Sequence, residues 1–508
     1  MTEIRVQRRR ALEALRAGVP NRDAVMVLGS LQVGVEDRFS QLLDSVGALP
    51  SGPAPGGMLV GGGFGAGKSH VLEHIAHVAL SRGFVVSKVV ISKETPLYDP
   101  AKVFRAAIDE ALVPGRPGSA IDEIALALKP DSPAYAELYR WAHSDQAPLD
   151  SRFAATLFLY EYARGDAEFA DHIVRFWAGD PLPVADLRRR LKETGAAATY
   201  RLGSIKERDL SVQRFRFVSR LVMAAGFSGW VVLLDEGELI GRYSVLQRAK
   251  SYGEVARWVR GDRDDPAAPL CAVLTTVDDY EAQVLVGKND RELIPKRLRM
   301  KGTAEYELAA SQAEAGMRII EREQVQIQPP GQDELDRIYA KLKQIHAEAY
   351  GWDPPDVAGI ERLPSNRMRQ YVRAWISEWD LSRLDPAYVP DIAAAALSVD
   401  FSEDADLDGS AVLDGRAGDD GPTVLDGRAD VGGSAVPDGS ADVDGPAGDD
   451  GPAGDDARAD VDGRAVLDGP AVLDGRTDVD GPAGVDGPAG VDGPAGVDGS
   501  AGDDGRAR

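Results

Sequence analysis

The chain has 508 residues, enough for roughly two or three domains, and its formal net charge at pH 7 is −24. This charge is concentrated at one end: residues 401–508 contain 27 acidic and seven basic residues, whereas residues 1–400 contain 55 acidic and 51 basic residues. Residues 1–400, the body of the chain, are close to neutral. The protein as a whole is therefore not an acidic mimic of nucleic acid, and the body is not basic enough for a strong non-specific DNA-binding protein.

Residues 1–400 alternate helical and strand patterns, which is typical of an α/β sheet with crossover helices. The predicted elements are helix 2–17, helix 35–45, strand 58–60, helix 68–81, strand 84–91, helix 100–112, helices throughout 118–203, helix 212–225, strand 230–234, helix 245–260, strand 270–276, strand 305–309 and helices 333–350 and 366–379.

This pattern divides the chain into six segments. They are N-terminal helices (1–50), the first half of a sheet domain (51–112), a helical insertion (113–203), the second half of the sheet domain (204–325), a small C-terminal helical domain of lid or winged-helix type (326–400) and an acidic repeat tail (401–508).

The tail is a hexapeptide repeat. Residues 406–507 divide without a gap into 17 hexads of the consensus x-[VLD]-D-G-[PRS]-[AT]. A parallel β-helix, the ordered alternative, needs an aliphatic residue at one fixed position of every turn. Asp often occupies that position here, and no aromatic residue follows Phe401. We therefore predict a disordered tail.

The single cysteine, Cys271, lies in the apolar run 269–274, so an intrachain disulfide is excluded and a reducing compartment is favoured. The first 17 residues are charged and helix-patterned, unlike a secretory signal. No stretch of about 20 apolar residues occurs. The sequence thus predicts a cytoplasmic protein without a membrane span.

A glycine-rich run follows the predicted strand 58–60. Its residues are Gly62, Gly63, Phe64, Gly65, Ala66, Gly67, Lys68 and Ser69. The run matches the P-loop pattern G-x-x-x-x-G-K-[ST] between a strand and a helix, which is the context that the pattern requires. Glycines let backbone N–H groups face the phosphates, Lys68 reaches the β- and γ-phosphates, and Ser69 ligates Mg²⁺. We therefore predict binding of ATP with Mg²⁺, and His70 joins the nucleotide-binding candidates.

The strand 230–234 ends in Asp235 and Glu236. Asp235 would hold Mg²⁺ through water, and Glu236 would orient or deprotonate the attacking water. A solvated acidic turn has the same pattern, and the glycine-rich run favours the functional interpretation. Thr276, at the end of strand 270–276, is expected beside the γ-phosphate or the water. Its neighbour Thr275 and a purely structural role remain alternatives.

Arginines form the last candidate groups. Arg297 and Arg299 precede the predicted strand 305–309, where an arginine finger facing a neighbouring subunit would lie. Arg367 and Arg369 open the last helix, where a lid arginine would lie. Both clusters are also compatible with ordinary solvated helix ends. The histidines of helix 68–81 lack Cys or carboxylate partners at metal-ligand spacing, so we predict no zinc site.

The phrases 62–69 with 85–100, 235–243 and 367–373 together resemble the P-loop proteins with the BREX-system ATP-binding domain, which are similar to BrxC and BrxD, over about residues 5–390. This resemblance implies an AAA-like ATPase, related in plan to origin-recognition and helicase-loading proteins and associated with phage defence. It gives the nucleotide and hydrolysis roles to Lys68, Ser69, Asp235 and Glu236. Gly237, where an apolar residue is expected, and the repeat tail depart from the family pattern.

The predicted fold class is therefore α/β, a P-loop NTPase (AAA-like) parallel sheet with a helical insertion. The predicted function is an ATPase that couples hydrolysis to remodelling or loading on DNA or a partner protein, as a homo-oligomer or with other defence-system proteins. A non-hydrolysing ATP-dependent switch or scaffold is the alternative. A third hypothesis, a nucleic-acid-binding module with ATP as effector, depends on the basic run 188–192 and the arginines of the last helix.

Overall fold

The computed structural model describes residues 2–29, 32–49, 55–357, 368–385 and 387–388. The prediction of a disordered tail lies outside these residues. The helices are α1 Thr2–Ala17, α2 Arg22–Leu28, α3 Val33–Gly47, α4 Lys68–Ser81, α5 Pro100–Asp109, α6 Ala120–Ala127, α7 Pro133–Ala142, α8 Ser151–Tyr162, α9 Ala167–Trp177, α10 Val184–Glu193, α11 Glu207–Ala224, α12 Val245–Arg260, α13 Asp290–Arg299, α14 Ala304–Arg322, α15 Gln332–Tyr350 and α16 Met368–Leu384. The strands are β1 Gly57–Gly61, β2 Val85–Val90, β3 Ala111–Leu112, β4 Trp230–Asp235, β5 Leu270–Thr276 and β6 Val325–Gln326.

The strands form one mixed sheet in the order β3-β2-β4-β5-β1-β6. All neighbouring pairs are parallel except β2 and β3, which are antiparallel. The prediction of a wholly parallel sheet is therefore wrong at this edge. Helix α5 ends at Asp109 instead of continuing to residue 112, and the chain then turns back along β2 with Leu112 opposite Val86. The connection, residues 91–110, contains α5 and delivers β3 to the sheet edge beside β2 in the antiparallel direction.

The predicted strand 305–309 is also wrong. These residues open α14, a 19-residue helix that begins at the N-cap Thr303, whose hydroxyl accepts a hydrogen bond from the Tyr306 N–H. Five residues with alternating polarity resemble a strand, but the buried positions of the longer segment recur at helical spacing. The place beside β1 is taken by the two-residue strand β6.

The sheet is buried on both faces, which is why its central strands are almost wholly apolar. Alternate residues point to opposite faces. One face contributes Leu59, Val85, Val89, Trp230, Val232, Leu234, Ala272 and Leu274 to a core shared with α5, α11, α12, α14 and the helices α6–α10. The other contributes Met58, Val60, Val86, Val231, Leu233, Cys271 and Val273 to a core shared with α3 and α4.

The two ends of the described chain pack together. Helices α1, α2, α15 and α16 share a separate hydrophobic cluster, in which Trp379 is fully buried beside Tyr339 and His346. Its indole N–H also donates to the Pro355 carbonyl at 3.1 Å. The N-terminal helices α1 and α2 therefore form one layer with the C-terminal helices, which a division by sequence position does not reveal.

The stretch 118–203, predicted to be helical throughout, contains α6 to α10 and no strand. Its basic run, 188–192, is engaged within the chain: Arg188 donates to the Leu202 carbonyl, Arg189 pairs with Asp186, and Arg190 pairs with Asp166. Within the described ranges, no helix is long and apolar enough to cross a membrane.

We expect the substitution Trp379→Ala to lower the free energy of unfolding by about 3–5 kcal/mol, because it removes a fully buried indole from the terminal cluster and leaves a cavity. The measurement is guanidinium unfolding followed by circular dichroism. The control is Leu384→Ala on the same helix, where the side chain is 71% exposed and the expected change is within about 0.5 kcal/mol. Equal effects of the two substitutions would contradict the packing described.

Candidate nucleotide-binding site

The glycine-rich run forms a turn between the buried strand β1 and helix α4. Gly67 is the N-cap residue of α4, and its φ of +107° is accessible to glycine but strained for other residues. Because the cap residue is a glycine, no side chain caps the first N–H groups of the helix. The first backbone N–H groups of α4 have no partner within the helix, and the positive end of the helix dipole lies there. The turn therefore presents an anion-binding helix end at the carboxyl edge of the sheet.

Lys68 folds back over the run that contains it. Its ammonium group donates to the Gly62 carbonyl at 2.8 Å, lies 3.6 Å from Glu238 Oε1, and lies 5.3 Å from the centre of the Phe64 ring. The side chain is 10% exposed. These contacts hold one buried positive charge at the mouth of the turn.

Asp235 links the two predicted halves of the site. Its Oδ1 accepts hydrogen bonds from the Thr275 hydroxyl at 2.6 Å and the Glu236 N–H at 3.0 Å, and its Oδ2 accepts one from the Ser69 hydroxyl at 3.4 Å. The residue is only 6% exposed. The carboxylate is thereby held in one orientation by groups from α4, β5 and the turn after β4.

Both threonines at the end of β5 are buried, and they make different contacts. The hydroxyl that contacts Asp235 belongs to Thr275. The Thr276 carbonyl accepts a hydrogen bond from the Gly62 N–H at 3.1 Å, which fixes the start of the glycine-rich run against β5. The role predicted for the Thr276 side chain stays a prediction.

Glu236 is exposed and has left-handed backbone angles, with φ +60° and ψ +38°. This conformation is costly for a residue with a side chain, and such residues cluster at functional sites. Partial desolvation, followed by the negative charge of Asp235, raises the pKa of Glu236, and the Lys68 ammonium opposes the rise. A raised pKa makes this carboxylate a better proton acceptor than an ordinary glutamate.

The surroundings of Gly237 explain why a glycine stands where an apolar residue is expected. A Cβ atom at this position would lie 2.5 Å from the Thr275 carbonyl oxygen and 3.2 Å from a methyl group of Leu274. Only glycine lets the acidic turn approach β5 this closely. Glycine at this position therefore permits the turn to lie close against the strand.

The cavity beside the run has a second wall, formed by the turn between α1 and α2 and by the start of α16. The residues of this wall are Leu15, Gly18, Pro20, Leu28, Met368, Arg369 and Val372. Arg369 connects it to the glycine-rich run, because its backbone N–H donates to the Gly65 carbonyl at 3.1 Å and its guanidinium donates to the Gly18 carbonyl at 2.9 Å. Arg367 lies outside the described residues.

His70 also borders the cavity, and it is buried. Its Nε2 lies 3.3 Å from the Gly29 carbonyl oxygen. Burial lowers the pKa of His70 to about 4, although the Gly29 carbonyl opposes the shift. The imidazole is therefore neutral near pH 7, so His70 contributes shape and one hydrogen bond to the wall.

Arg297 and Arg299 are not among the residues that line this cavity in the described part of the chain. Arg299 is held by its own chain through Glu314, at 2.8 and 2.9 Å, and Glu307 at 3.4 Å. Arg297 is exposed and borders a separate groove between α12 and α13.

The α1–α2 wall and Glu238 are the parts of the site that motif reasoning missed. Glu238 was visible as the third acidic residue of Asp235-Glu236-Gly237-Glu238. Arg369 of this wall was expected from the sequence as a lid arginine, whereas Leu15, Gly18, Pro20 and Leu28 carry no motif, because long-range packing alone brings them to the cavity.

The substitution Gly237→Ala should destabilise the protein by about 1–3 kcal/mol, because the new methyl group must displace β5 or the acidic turn. Thermal unfolding by calorimetry measures the change. Gly253→Ala is the matched control, since a Cβ there meets a Gln312 side chain at an ordinary 3.6 Å within α12, where alanine is favoured by up to about 1 kcal/mol. An unchanged unfolding temperature for Gly237→Ala would contradict the close approach.

A family model matches most of the chain. The family model described as BREX system ATP-binding protein BrxC/D matches residues 4–126 and 146–379, which include Lys68, Ser69, Asp235 and Glu236. No curated protein and no solved structure matches the chain. Because the matched segments span more than half of the sequence, the chain belongs to the family of BREX system ATP-binding proteins BrxC/D, which supports an ATP-binding role in phage defence.

Proposed function

We propose that the protein is a P-loop ATPase of AAA-like plan, in which Gly62–Ser69 is the Walker A motif and β4 with Asp235 and Glu236 is the Walker B motif. The observation that carries this proposal is the convergence of Lys68, Ser69, Asp235 and Glu236 on one cavity. Ser69 and Asp235 are 166 positions apart in the sequence, and their side chains are in contact.

The order of the strands supports this plan. Strand β5 lies between β1, which leads into the glycine-rich run, and β4, which leads into the acidic pair. Ligands of open parallel sheets bind outside the carboxyl ends of the strands, and both motifs follow such ends. The plan also puts a polar strand end between the motifs, where Thr275 and Thr276 lie.

Mg²⁺ fits the oxygen atoms at the site. The Ser69 hydroxyl and the Asp235 carboxylate are adjacent, and Mg²⁺ prefers oxygen ligands, usually one or two protein groups together with phosphate and water. Within the described ranges, no group of three or more His, Cys, Asp and Glu residues could hold a metal ion. When bound, Mg²⁺ would neutralise charge on the phosphates.

The remaining cavity suits the adenosine part of ATP. With the phosphates at the N-terminus of α4, the base would lie toward Leu15, Pro20, Leu28 and Val372, an apolar wall of the kind that purine rings contact. Arg369 would hold this wall against the glycine-rich run through its two hydrogen bonds.

Hydrolysis would use Glu236 to orient and deprotonate water. Its exposure gives it access to water, and its raised pKa favours proton transfer. Phosphoryl transfer otherwise needs positioning and charge stabilisation, which Lys68 and the helix end would supply. Thr276 is proposed as a further residue on the γ-phosphate side.

We place this activity in a cytoplasmic defence complex in which a homo-oligomer or partner proteins complete the site. The ATPase cycle would drive remodelling or loading of a protein or of DNA. DNA as the direct ligand has less support, because the run 188–192 is largely engaged within its own chain. A non-hydrolysing switch is the second candidate function, favoured by the enclosure of Lys68 between Gly62 and Glu238.

The proposal predicts that Glu236→Gln binds ATP but loses turnover by about 10²–10⁴-fold, because general-base catalysis is removed. Lys68→Ala should weaken ATP binding and turnover together, since a phosphate-binding cation is lost. Binding is measured by isothermal titration calorimetry and turnover by phosphate release, with the exposed Glu305→Gln as control. If wild type and Glu236→Gln bind ATP equally and neither turns over, the switch takes the place of the ATPase.

An arginine acting on a neighbouring subunit is expected to be exposed and unpaired. Arg297 meets this description, because among the described residues it forms no ion pair, whereas Arg299 forms two. Arg297→Ala should leave ATP binding by the isolated subunit unchanged and lower turnover of the assembled protein by about 10³-fold or more. Arg318→Ala, an exposed arginine of α14, is the control. A wild-type rate for Arg297→Ala in an assembled sample would exclude this residue.

A further inference from the structure

Glu238 is a buried acidic residue for which the P-loop pattern has no role. It lies in the 3₁₀ helix Gly237–Arg242 directly after the acidic pair, is 5% exposed and borders the same cavity as Lys68. Its Oε1 is 3.6 Å from the Lys68 ammonium. Its Oε2 is buried and has no hydrogen-bond partner within the described residues.

This arrangement is unusual for a carboxylate inside a protein. A buried charged oxygen without a donor carries a desolvation cost that a structural role would normally offset with hydrogen bonds. Lys68 faces Glu238 as a cation, while Asp235 and Glu236 face it as like charges. Burial raises the pKa of Glu238, and the Lys68 ammonium opposes the rise. The contact with Lys68 is thus the main compensation for the buried charge.

A bound triphosphate would change this balance. The proposed role of Lys68 is to contact the β- and γ-phosphate oxygens, yet in this structure its ammonium is held by Gly62 and Glu238. The phosphates would also add negative charge next to three carboxylates. Glu238 and the phosphates therefore compete for the same ammonium group.

We propose that Glu238 is the counter-ion of Lys68 in the nucleotide-free site, and that it sets nucleotide affinity by competing with the β- and γ-phosphates for that ammonium. Glu238 is in this sense a positioning residue, which acts through Lys68. The inference rests on the proposed function, because it assigns to Lys68 the phosphate contacts of an ATP site.

The test is the substitution Glu238→Gln, which keeps the shape of the side chain and removes its charge. We expect ATP and ADP to bind about three- to tenfold more tightly, because one like charge is removed and Lys68 is released. AMP should bind as it does to wild type, because it lacks the phosphates that Lys68 contacts. In turnover, KM should fall while kcat does not rise. Titration calorimetry with the three nucleotides gives the binding constants.

Three further variants make the result specific. Glu254→Gln removes another buried carboxylate, 3% exposed and 2.7 Å from Arg257, and should not change nucleotide affinity. Glu238→Asp keeps the charge and should bind nucleotides more nearly as wild type does. Glu238→Ala removes the same charge as Glu238→Gln and carries the same expectation, so a folding defect in one variant leaves the test standing.

Weaker ATP binding by both Glu238→Gln and Glu238→Ala would overturn the inference, because Glu238 would then be needed to present Lys68 to the phosphates. Equal tightening for AMP would overturn it as well, since the effect would not pass through Lys68. If wild type binds ATP and the variants do not differ from it, this inference alone fails. If wild type binds none of the nucleotides, the proposed function fails, and the inference fails with it.

Discussion

The carboxylate of Asp235 is the interaction on which the site depends. It accepts hydrogen bonds from the Ser69 hydroxyl, the Thr275 hydroxyl and the Glu236 N–H, so that α4, β5 and the turn after β4 meet at one buried group. The carbonyl of Thr276 adds a second link, to the Gly62 N–H. Each donor comes from a separate element, so these hydrogen bonds fix the glycine-rich run relative to the acidic pair. The sheet order makes them possible, because β5 lies between β1 and β4.

The same turn is where local backbone preference is violated. Glu236 adopts left-handed angles that are rare for a residue with a side chain, and Gly237 touches β5 more closely than a Cβ would allow. Strain of this kind persists only where the surrounding structure enforces it. Here the buried ends of strands β4 and β5 enforce it, and the result is an exposed Glu236 next to a buried Asp235. Two adjacent acids thus have different surroundings and suit different tasks.

Much of the fold could be predicted because its central strands are continuous apolar runs between turns. Strands β1, β2, β4 and β5 are predicted correctly for this reason. The two-residue strands β3 and β6 are missed, because they are defined by their pairing with a neighbouring strand and have no strand pattern of their own. The strand expected at 305–309 is part of α14. In the site, the motifs and Arg369 could be predicted from the sequence, whereas the part of the wall made by α1, α2 and the turn between them depends on contacts between the two ends of the chain.

That wall gives the motif residues a connection to the rest of the molecule. Arg369 is tied to the Gly65 carbonyl through its backbone and to the Gly18 carbonyl through its side chain. The helices on either side, α1 and α16, belong to one cluster that contains the buried Trp379. A displacement of the glycine-rich run at Gly65 would therefore break the hydrogen bond from the Arg369 N–H or move α16 with it. Helix α16 can move only with the helices packed against it, because close-packed interiors transmit strain. The glycine-rich run and the terminal helical layer are thus joined directly through Arg369.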